Sequence, residues 1–194
     1  HSGNPKAATG GFSGRYILDR PGGRASTQAG SAARRRHRAA GEPKTKVGHG
    51  GTLDPLASGV LPIALGEATK LCGRMLDATK AYEFTIRFGD ETDTLDAEGR
   101  VVATSDVRPD KGEIESVLPG FTGTIEQVPP IYSALKIEGK AAYARARAGE
   151  QLEMKPREVT VHELTLKSTT ADEATVSATV SKGTYIRSLA RDIA

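Results

Sequence analysis

The segment from Gly48 to Lys70, GHGGTLDPLASGVLPIALGEATK, constrains this chain more than any other part of it. It places one carboxylate, Asp54, after a glycine-rich turn that lets a ligand come close to the backbone. Pro55 fixes its own φ and biases Asp54 toward an extended conformation. The apolar run from Gly59 to Ala64 would anchor the loop against a core. A carboxylate held in this way suits a nucleophile facing a bulky polar substrate, although Asp before Pro also commonly caps a turn.

The residues Gly48 to Pro55 resemble the catalytic motif G-H-x-G-T-L-D-P of the TruB family of tRNA pseudouridine synthases. The continuation LASGVLPIALGEATK and the segment TDTLDAEG look like the bacterial stand-alone type, while guide-RNA-dependent archaeal and eukaryotic relatives share H-x-G-T-L-D-P. The resemblance covers the chain from about Tyr16 to its end. The further segments that recur in the family are LDRPGGRASTQ (Leu18 to Gln28), KAYEF (Lys80 to Phe84), TDTLDAEG (Thr92 to Gly99), QVPPIYSALKIEGKAAY (Gln127 to Tyr143) and SKGTYIRSL (Ser181 to Leu189).

The resemblance implies an α+β fold, with a mixed, mostly antiparallel sheet and surrounding helices. We expect a flexible lead at residues 1–14 and a pseudouridine synthase catalytic domain at 15–194. By comparison with the family, we expect this domain to be incomplete at its C-terminal end and the small RNA-binding PUA domain to be absent.

Alternation of apolar and polar residues predicts most of the strands, and helical spacing or resemblance predicts the helices. Pro62 and Gly66 indicate that the second helix is interrupted. The predicted strands are 16–18, 82–88, 100–103, 159–166 with a bulge, and 174–180. The predicted helices are 27–40, 57–76, 110–118, 141–148 and one that begins near Tyr185.

Pseudouridine formation breaks the bond between uracil N1 and ribose C1′, turns the base and rejoins it through C5. Nothing is oxidised or added, so we expect neither a cofactor nor a metal. The resemblance assigns Asp54 as nucleophile, Arg187 as the cation that keeps it ionised, and Tyr82 as the ring that stacks on the base. A Brønsted role at C5 is the alternative for Tyr82, and a glycal route is the alternative to attack on C1′. From the residues alone, Arg187 also fits a surface arginine and Tyr82 a core aromatic.

A uridine stacked in a tRNA loop has to be flipped out before a carboxylate can reach it. By resemblance, His49 contacts the flipped nucleotides, and Arg20 stands where the family usually has Lys. Tyr185, Lys70 and Lys80 complete the predicted RNA-binding residues. The two lysines fit solvated surface residues equally well, and a lone histidine is often structural.

Charge is unevenly distributed along the chain, whose net charge is +3. From Arg20 to Lys46 there are eight Lys or Arg against one acid, which suggests a polyanionic partner such as the T-arm of tRNA. The alternative for this stretch is a solvated or disordered basic arm. The single cysteine, Cys72, is compatible with a reducing cytoplasm, and no apolar run approaches membrane-spanning length. We expect a cytoplasmic monomer with no membrane partner.

Two other classes of function remain open at this point. A non-catalytic RNA-binding module would use the basic stretch and carry a degenerate synthase fold, but the intact Asp54, Tyr82 and Arg187 argue against it. A hydrolase acting on a glycosidic bond usually needs a second positioned carboxylate, and no second acid shares the motif.

Overall fold

The computed structural model describes residues 15–20, 26–41, 44–133, 135–137, 140–150 and 152–194. The predicted lead at 1–14 lies outside these residues. The chain divides into two compact units, His1–Ala78 and Thr79–Ala194. Every strand pairing in the described residues is antiparallel, which confirms the predicted α+β class with mostly antiparallel sheets.

The first unit contains a three-stranded sheet with strand order β1-β3-β2. Its core is small: Leu61 and Ile63 of the central strand pack with Ala29 of the first helix. That helix buries only small residues, so little apolar area fixes it to the sheet. The elements are β1 (Arg15–Arg20), α1 (Ser26–Ala39), β2 (Val47–His49), β3 (Gly59–Leu65), a 3-10 helix (Gly66–Leu71) and α2 (Cys72–Asp77).

The predicted helix at 57–76 is wrong over most of its length, because β3 and the 3-10 helix occupy the greater part of it. Only the six residues of α2 are α-helical. Leu61, Ile63 and Leu65 are 1%, 1% and 2% exposed. A period of two places these three side chains on one face of a strand, whereas a helix would spread them around its axis. Pro62 also disfavours a helix interior, since its ring clashes with the preceding turn.

The second unit is built on a four-stranded sheet with strand order β4-β11-β10-β7. Two small two-stranded sheets, β5-β6 and β8-β9, accompany it. The elements are β4 (Lys80–Arg87), β5 (Asp90–Thr92), β6 (Val101–Thr104), α3 (Lys111–Val117), a 3-10 helix (Leu118–Phe121), β7 (Gly123–Gln127), β8 (Lys136–Ile137), β9 (Lys140–Ala141), α4 (Ala142–Arg147), β10 (Arg157–Thr169), β11 (Glu173–Val180) and α5 (Ile186–Ile193).

The predicted strands of this unit are confirmed, including the bulge. The pairing of β10 with β11 shifts register between Val161 and Glu163. In β11 the alternate residues face the core and are at most 2% exposed: Ala174, Val176, Ala178 and Val180. The three helices predicted here are also confirmed. Asp110 caps α3, because its side chain accepts a hydrogen bond from the backbone of Glu113 while the Glu113 side chain accepts one from the backbone of Asp110.

Candidate functional site

The loop that carries Asp54 is fixed on its N-terminal side by a serine from α1. The Oγ of Ser26 accepts a hydrogen bond from the backbone N–H of Leu53 (3.0 Å) and donates one to the Leu53 carbonyl (3.3 Å). The Leu53 side chain packs on the core of the first unit. Both the backbone and the side chain of the residue before Asp54 are therefore held.

Asp54 itself lies in the exposed turn between β2 and β3. Its carbonyl accepts a hydrogen bond from the N–H of Ala57 (3.0 Å), so the chain turns immediately after the carboxylate. Pro55 occupies the next position and limits its freedom. The backbone on both sides of Asp54 is thus restrained, while the carboxylate stays accessible to a large substrate.

The backbone before the carboxylate passes close to α2. The N–H of Gly50 donates to the Pro62 carbonyl (2.9 Å), and a Cβ at this position would lie 2.6 Å from the Cβ of Met75. Real Cβ atoms do not approach so closely, so only glycine fits here. Glycine is therefore required at position 50 because Met75 leaves no space for a side chain.

The half-buried His49 ends β2, and its Nδ1 is hydrogen-bonded to the carbonyl of Gly51. Since a carbonyl only accepts, Nδ1 carries the proton, and in the neutral ring Nε2 is left as an acceptor. The ring is thereby oriented by its own glycine loop. This geometry suits the predicted contact with flipped nucleotides, which stays a prediction.

The other two predicted RNA-binding residues of this unit lie on separate elements. Arg20 is the last residue of β1 and pairs with Gly59 across the sheet. Lys70 lies in the last turn of the 3-10 helix, and its exposed ammonium forms an ion pair with Glu67 (2.5 Å). Exposed pairs contribute little to stability, so an RNA phosphate could compete for this lysine.

Tyr82 and Lys80 both lie on β4 in the second unit. Tyr82 stands opposite Ala178 of β11, is half-buried, and packs on the cluster formed by Val161, Ala178, Val180 and Leu189. Tyr82 therefore packs on the core and is also partly exposed. This position is compatible with both predictions for it, a core aromatic and a ring that stacks on the base. Lys80, the first residue of the strand, is half-buried.

Arg187 lies in the first turn of α5, and its side chain is only 13% exposed. Nη1 donates to the carbonyl of Thr94 (2.8 Å), and Nη2 donates to the carbonyl of Tyr132 (3.0 Å). Nη1 also lies 3.6 Å from Oδ2 of Asp96. The guanidinium therefore joins α5 to two loops that belong to separate sequence motifs, TDTLDAEG and QVPPIYSAL. This is not the environment of a solvated surface arginine.

Asp96 is a residue of the site that sequence reasoning missed. Its Oδ1 accepts hydrogen bonds from Oγ1 of Thr94 (2.6 Å) and from the N–H of Glu98 (3.0 Å), so it closes its own loop. The other oxygen faces Arg187. The sequence identifies TDTLDAEG as a motif, but only the structure shows which of its two aspartates lies beside Arg187.

Tyr185 caps α5 and is held by the buried side chain of Gln127. The Tyr185 N–H donates to Gln127 Oε1 (2.8 Å), and Gln127 Nε2 donates to the Tyr185 carbonyl (3.1 Å). Oγ of Ser188 donates to the Val128 carbonyl (2.7 Å). These bonds fix the first turn of α5, and with it Arg187, against the end of β7.

The structure thus places the predicted residues Asp54, His49, Arg20 and Lys70 in the first unit. Tyr82, Lys80, Tyr185 and Arg187 lie in the second. The predicted ion pair between Asp54 and Arg187 stays a prediction. Among the described residues, no three His, Cys, Asp or Glu side chains are grouped as metal ligands would be. No helix in the described ranges is long and apolar enough to cross a membrane.

Comparison with known proteins identifies the family. Residues 37–186 match the family described as TruB family pseudouridylate synthase (N terminal domain). This match covers well over half of the chain. The chain belongs to the TruB family. The TruB match includes Asp54, Tyr82 and Tyr185 and ends one residue before Arg187.

Curated relatives support the TruB assignment. A protein named tRNA pseudouridine synthase B from Zymomonas mobilis is 64% identical over 178 residues, which are 92% of this chain and 59% of that protein. One with the same name from Novosphingobium aromaticivorans is 62% identical over 183 residues, covering 92% of this chain and 60% of the relative. The chain therefore spans about three-fifths of the length of these relatives.

Solved structures resemble this TruB-family chain as well. A crystal structure of a Cbf5-Nop10-Gar1 complex matches with a TM-score of 0.67 and 28% identity, covering 94% of this chain and 43% of the other. A structure of an H/ACA RNP bound to a substrate RNA containing 2'-deoxyuridine matches with a TM-score of 0.63 and 25% identity, covering 94% and 42%.

Proposed function

We propose that this chain isomerises a uridine in the T-loop of tRNA to pseudouridine, with Asp54 as the nucleophile after base flipping. The observation that carries the proposal is the position of Asp54 in the motif GHGGTLDP, on a turn restrained on both sides. The names of the relatives, tRNA pseudouridine synthase B, support both the reaction and the substrate class.

The reaction begins with extrusion of the target uridine, because a stacked base shields its own glycosidic bond. Asp54 is exposed and can approach the ribose or the base of the extruded nucleotide. Attack of the Asp54 carboxylate on C1′ would break the bond to uracil N1 and form an ester with the ribose; the uracil turns, and its C5 then displaces the carboxylate from C1′. In a glycal route the same carboxylate would instead remove the proton on C2′ as N1 leaves and return it when C5 bonds to C1′. In either case the proton on C5 is lost at the end and N1 is protonated.

Tyr82 is suited to stack on the loosened uracil, since its ring is anchored at one side in the core and open at the other. Base–aromatic stacking contributes about 1–3 kcal/mol per base. The hydroxyl at the ring edge could also serve as the Brønsted group at C5. Arg187 is the proposed cation that keeps Asp54 ionised, and its contacts with Thr94, Tyr132 and Asp96 hold the guanidinium in one orientation before the reaction.

The remaining parts of the proposal concern partner and compartment. The T-arm of tRNA is the proposed partner, with His49, Arg20, Lys70, Lys80 and Tyr185 as contact residues. We expect no cofactor, because the reaction neither oxidises nor adds a group. A monomer in the cytoplasm stays the predicted state.

The deciding experiment is a single-turnover assay on a T-arm transcript with the parent chain, Asp54→Asn and, as a control, the exposed Asp106→Asn. We expect Asp54→Asn to bind RNA as the parent does and to lose at least about a thousandfold in rate, equivalent to about 4 kcal/mol of barrier. The control should keep its rate. Residual turnover above that level would overturn the nucleophile assignment. A parent chain that binds the T-arm without converting it would favour a non-catalytic RNA-binding module.

A further inference from the structure

The C-terminal end of α1 carries four arginines that the proposed chemistry does not use. Arg34, Arg35, Arg36 and Arg38 are all exposed, and α1 contains no acidic residue. Within the described part of the chain, none of the four forms an ion pair. We call this group the arginine end of α1.

The arginine end is held in place by ordered contacts. Nε2 of His37 is hydrogen-bonded to Oγ1 of Thr45 (3.1 Å), which joins the last turn of α1 to the segment before β2. The helix ends at Ala39, and the N–H of Gly41 in the turn after it donates to the Arg38 carbonyl (3.0 Å). The exposed Lys44 and Lys46 follow and extend the positive surface. The charges therefore sit on a fixed scaffold and face solvent.

The other end of the same helix touches the candidate nucleophile loop through Ser26. At 1.5 Å per residue, the arginines begin about 12 Å from Ser26 and end about 18 Å from it. We propose, on the basis of the proposed function, that the arginine end of α1 binds the phosphate backbone of the RNA. Guanidinium groups suit this role because they pair bidentately with phosphate.

The test is the salt dependence of T-arm affinity for the parent and for the variant with all four arginines replaced by alanine. Each lost phosphate contact lowers the slope of log K against log salt by about 0.7–0.9, so the loss of four contacts should lower it by about 3–4. The single-turnover rate at saturating RNA should stay within about threefold of the parent, because no group near Asp54 changes.

A matched control removes four exposed positive charges from the second unit: Lys111, Lys155, Arg157 and Lys167. This variant should change the slope by less than about 0.7–0.9, the value for one phosphate contact. Equal slopes for the two variants would overturn the proposal, since the effect would then be one of net charge. A parent chain that forms no pseudouridine would instead overturn the proposed function, so the two failures are distinguishable.

A different observation supports a second inference, about Ser26. Ser26 is 4% exposed, and its hydroxyl is hydrogen-bonded to both backbone groups of Leu53, the residue before Asp54. We infer that Ser26 is a positioning residue that sets the location of the Asp54 carboxylate. A misplacement of a reacting group by about 1 Å can lower the reaction rate about 100-fold. Loss of the Ser26 hydroxyl can therefore slow the reaction by moving the Asp54 carboxylate.

The variant Ser26→Ala should lower the single-turnover rate at saturating RNA by about 10- to 100-fold and leave the RNA dissociation constant within about threefold. Ile63→Val destabilises the same core without removing a hydrogen bond to the Leu53 backbone, and it serves as the control. Both variants should lose melting temperature, but only Ser26→Ala should lose rate well below its melting point. A rate for Ser26→Ala equal to that of Ile63→Val would overturn the inference.

Discussion

The side-chain amide of Gln127 pairs with the backbone of Tyr185 through two hydrogen bonds, as a neighbouring strand would. Gln127 is 2% exposed, and both its oxygen and its nitrogen are used. The pair joins the end of β7 to the start of α5, two residues before Arg187. The helix therefore begins at a position fixed by a buried amide.

Replacing Gln127 by methionine should destabilise the chain, because it removes the acceptor of the Tyr185 N–H, while the Tyr185 carbonyl keeps the hydrogen bond from the Leu189 N–H. An unsatisfied buried donor costs about 1–3 kcal/mol, so we expect the free energy of unfolding to fall by about that amount. Denaturant unfolding followed by circular dichroism measures this change. The exposed Gln28→Met is the control and should shift stability by less than about 0.5 kcal/mol. A loss no larger than the control's would mean that water replaces the amide.

The loop TDTLDAEG contains two ion pairs of different burial, which gives a second prediction. Asp96 and Arg187 have side chains 20% and 13% exposed, whereas Arg100, the partner of Asp93, is 90% exposed. Asp96→Asn should lower the free energy of unfolding by about 1–3 kcal/mol, in the range for hydrogen bonds to charged groups. Asp93→Asn should cost less than about 1 kcal/mol.

The same pair of variants also tests the site. Asp96→Asn should reduce the single-turnover rate by about tenfold or more, since the guanidinium loses its charged neighbour and can shift. Asp93→Asn should keep the parent rate. If both variants react at the parent rate, the position of Arg187 does not depend on Asp96.

Tyr82 and Phe84 offer a matched comparison on one strand. Both are half-buried and pack on the core of the second unit. Replacing either by leucine should cost similar stability, about 1–2 kcal/mol by loss of ring contacts. Only Tyr82→Leu should also slow the single turnover, by about 10- to 100-fold, if the ring stacks on the base. Equal rates for the two variants would make Tyr82 a core residue only.

Local patterns predicted the second unit well and the first unit less well. Three strands of the large sheet, β4, β10 and β11, show the period of two and are predicted from it, whereas β7 is not predicted. The segment 57–76 contains enough apolar residues to suggest a helix, but Leu61, Ile63 and Leu65 alternate as in a strand. The position of β3 between β1 and β2 depends on tertiary packing, which local propensities do not predict.

The candidate site residues that the sequence predicts are those whose side chains belong to a family motif. Asp54, Tyr82 and Arg187 are predicted from the resemblance to the TruB family, and the structure shows which groups surround them. The partners of Arg187 include two backbone carbonyls, which every residue possesses and which no sequence pattern marks. The same holds for Ser26, because a buried serine bonded to a backbone 27 residues away has no local signature.

The last prediction concerns the space beside the nucleophile loop. Gly50→Ala would place a Cβ 2.6 Å from the Cβ of Met75, whereas a Cβ at Gly73 in α2 would meet nothing within 4 Å. We expect Gly50→Ala to lower the free energy of unfolding by about 1–3 kcal/mol, as overpacking does. Gly73→Ala should raise it by up to about 1 kcal/mol, because alanine is the better helix former. Thermal melts of the two variants measure the opposite shifts. Equal melting temperatures would show that α2 moves aside freely, and the loop would then not be held by the contact between Gly50 and Met75.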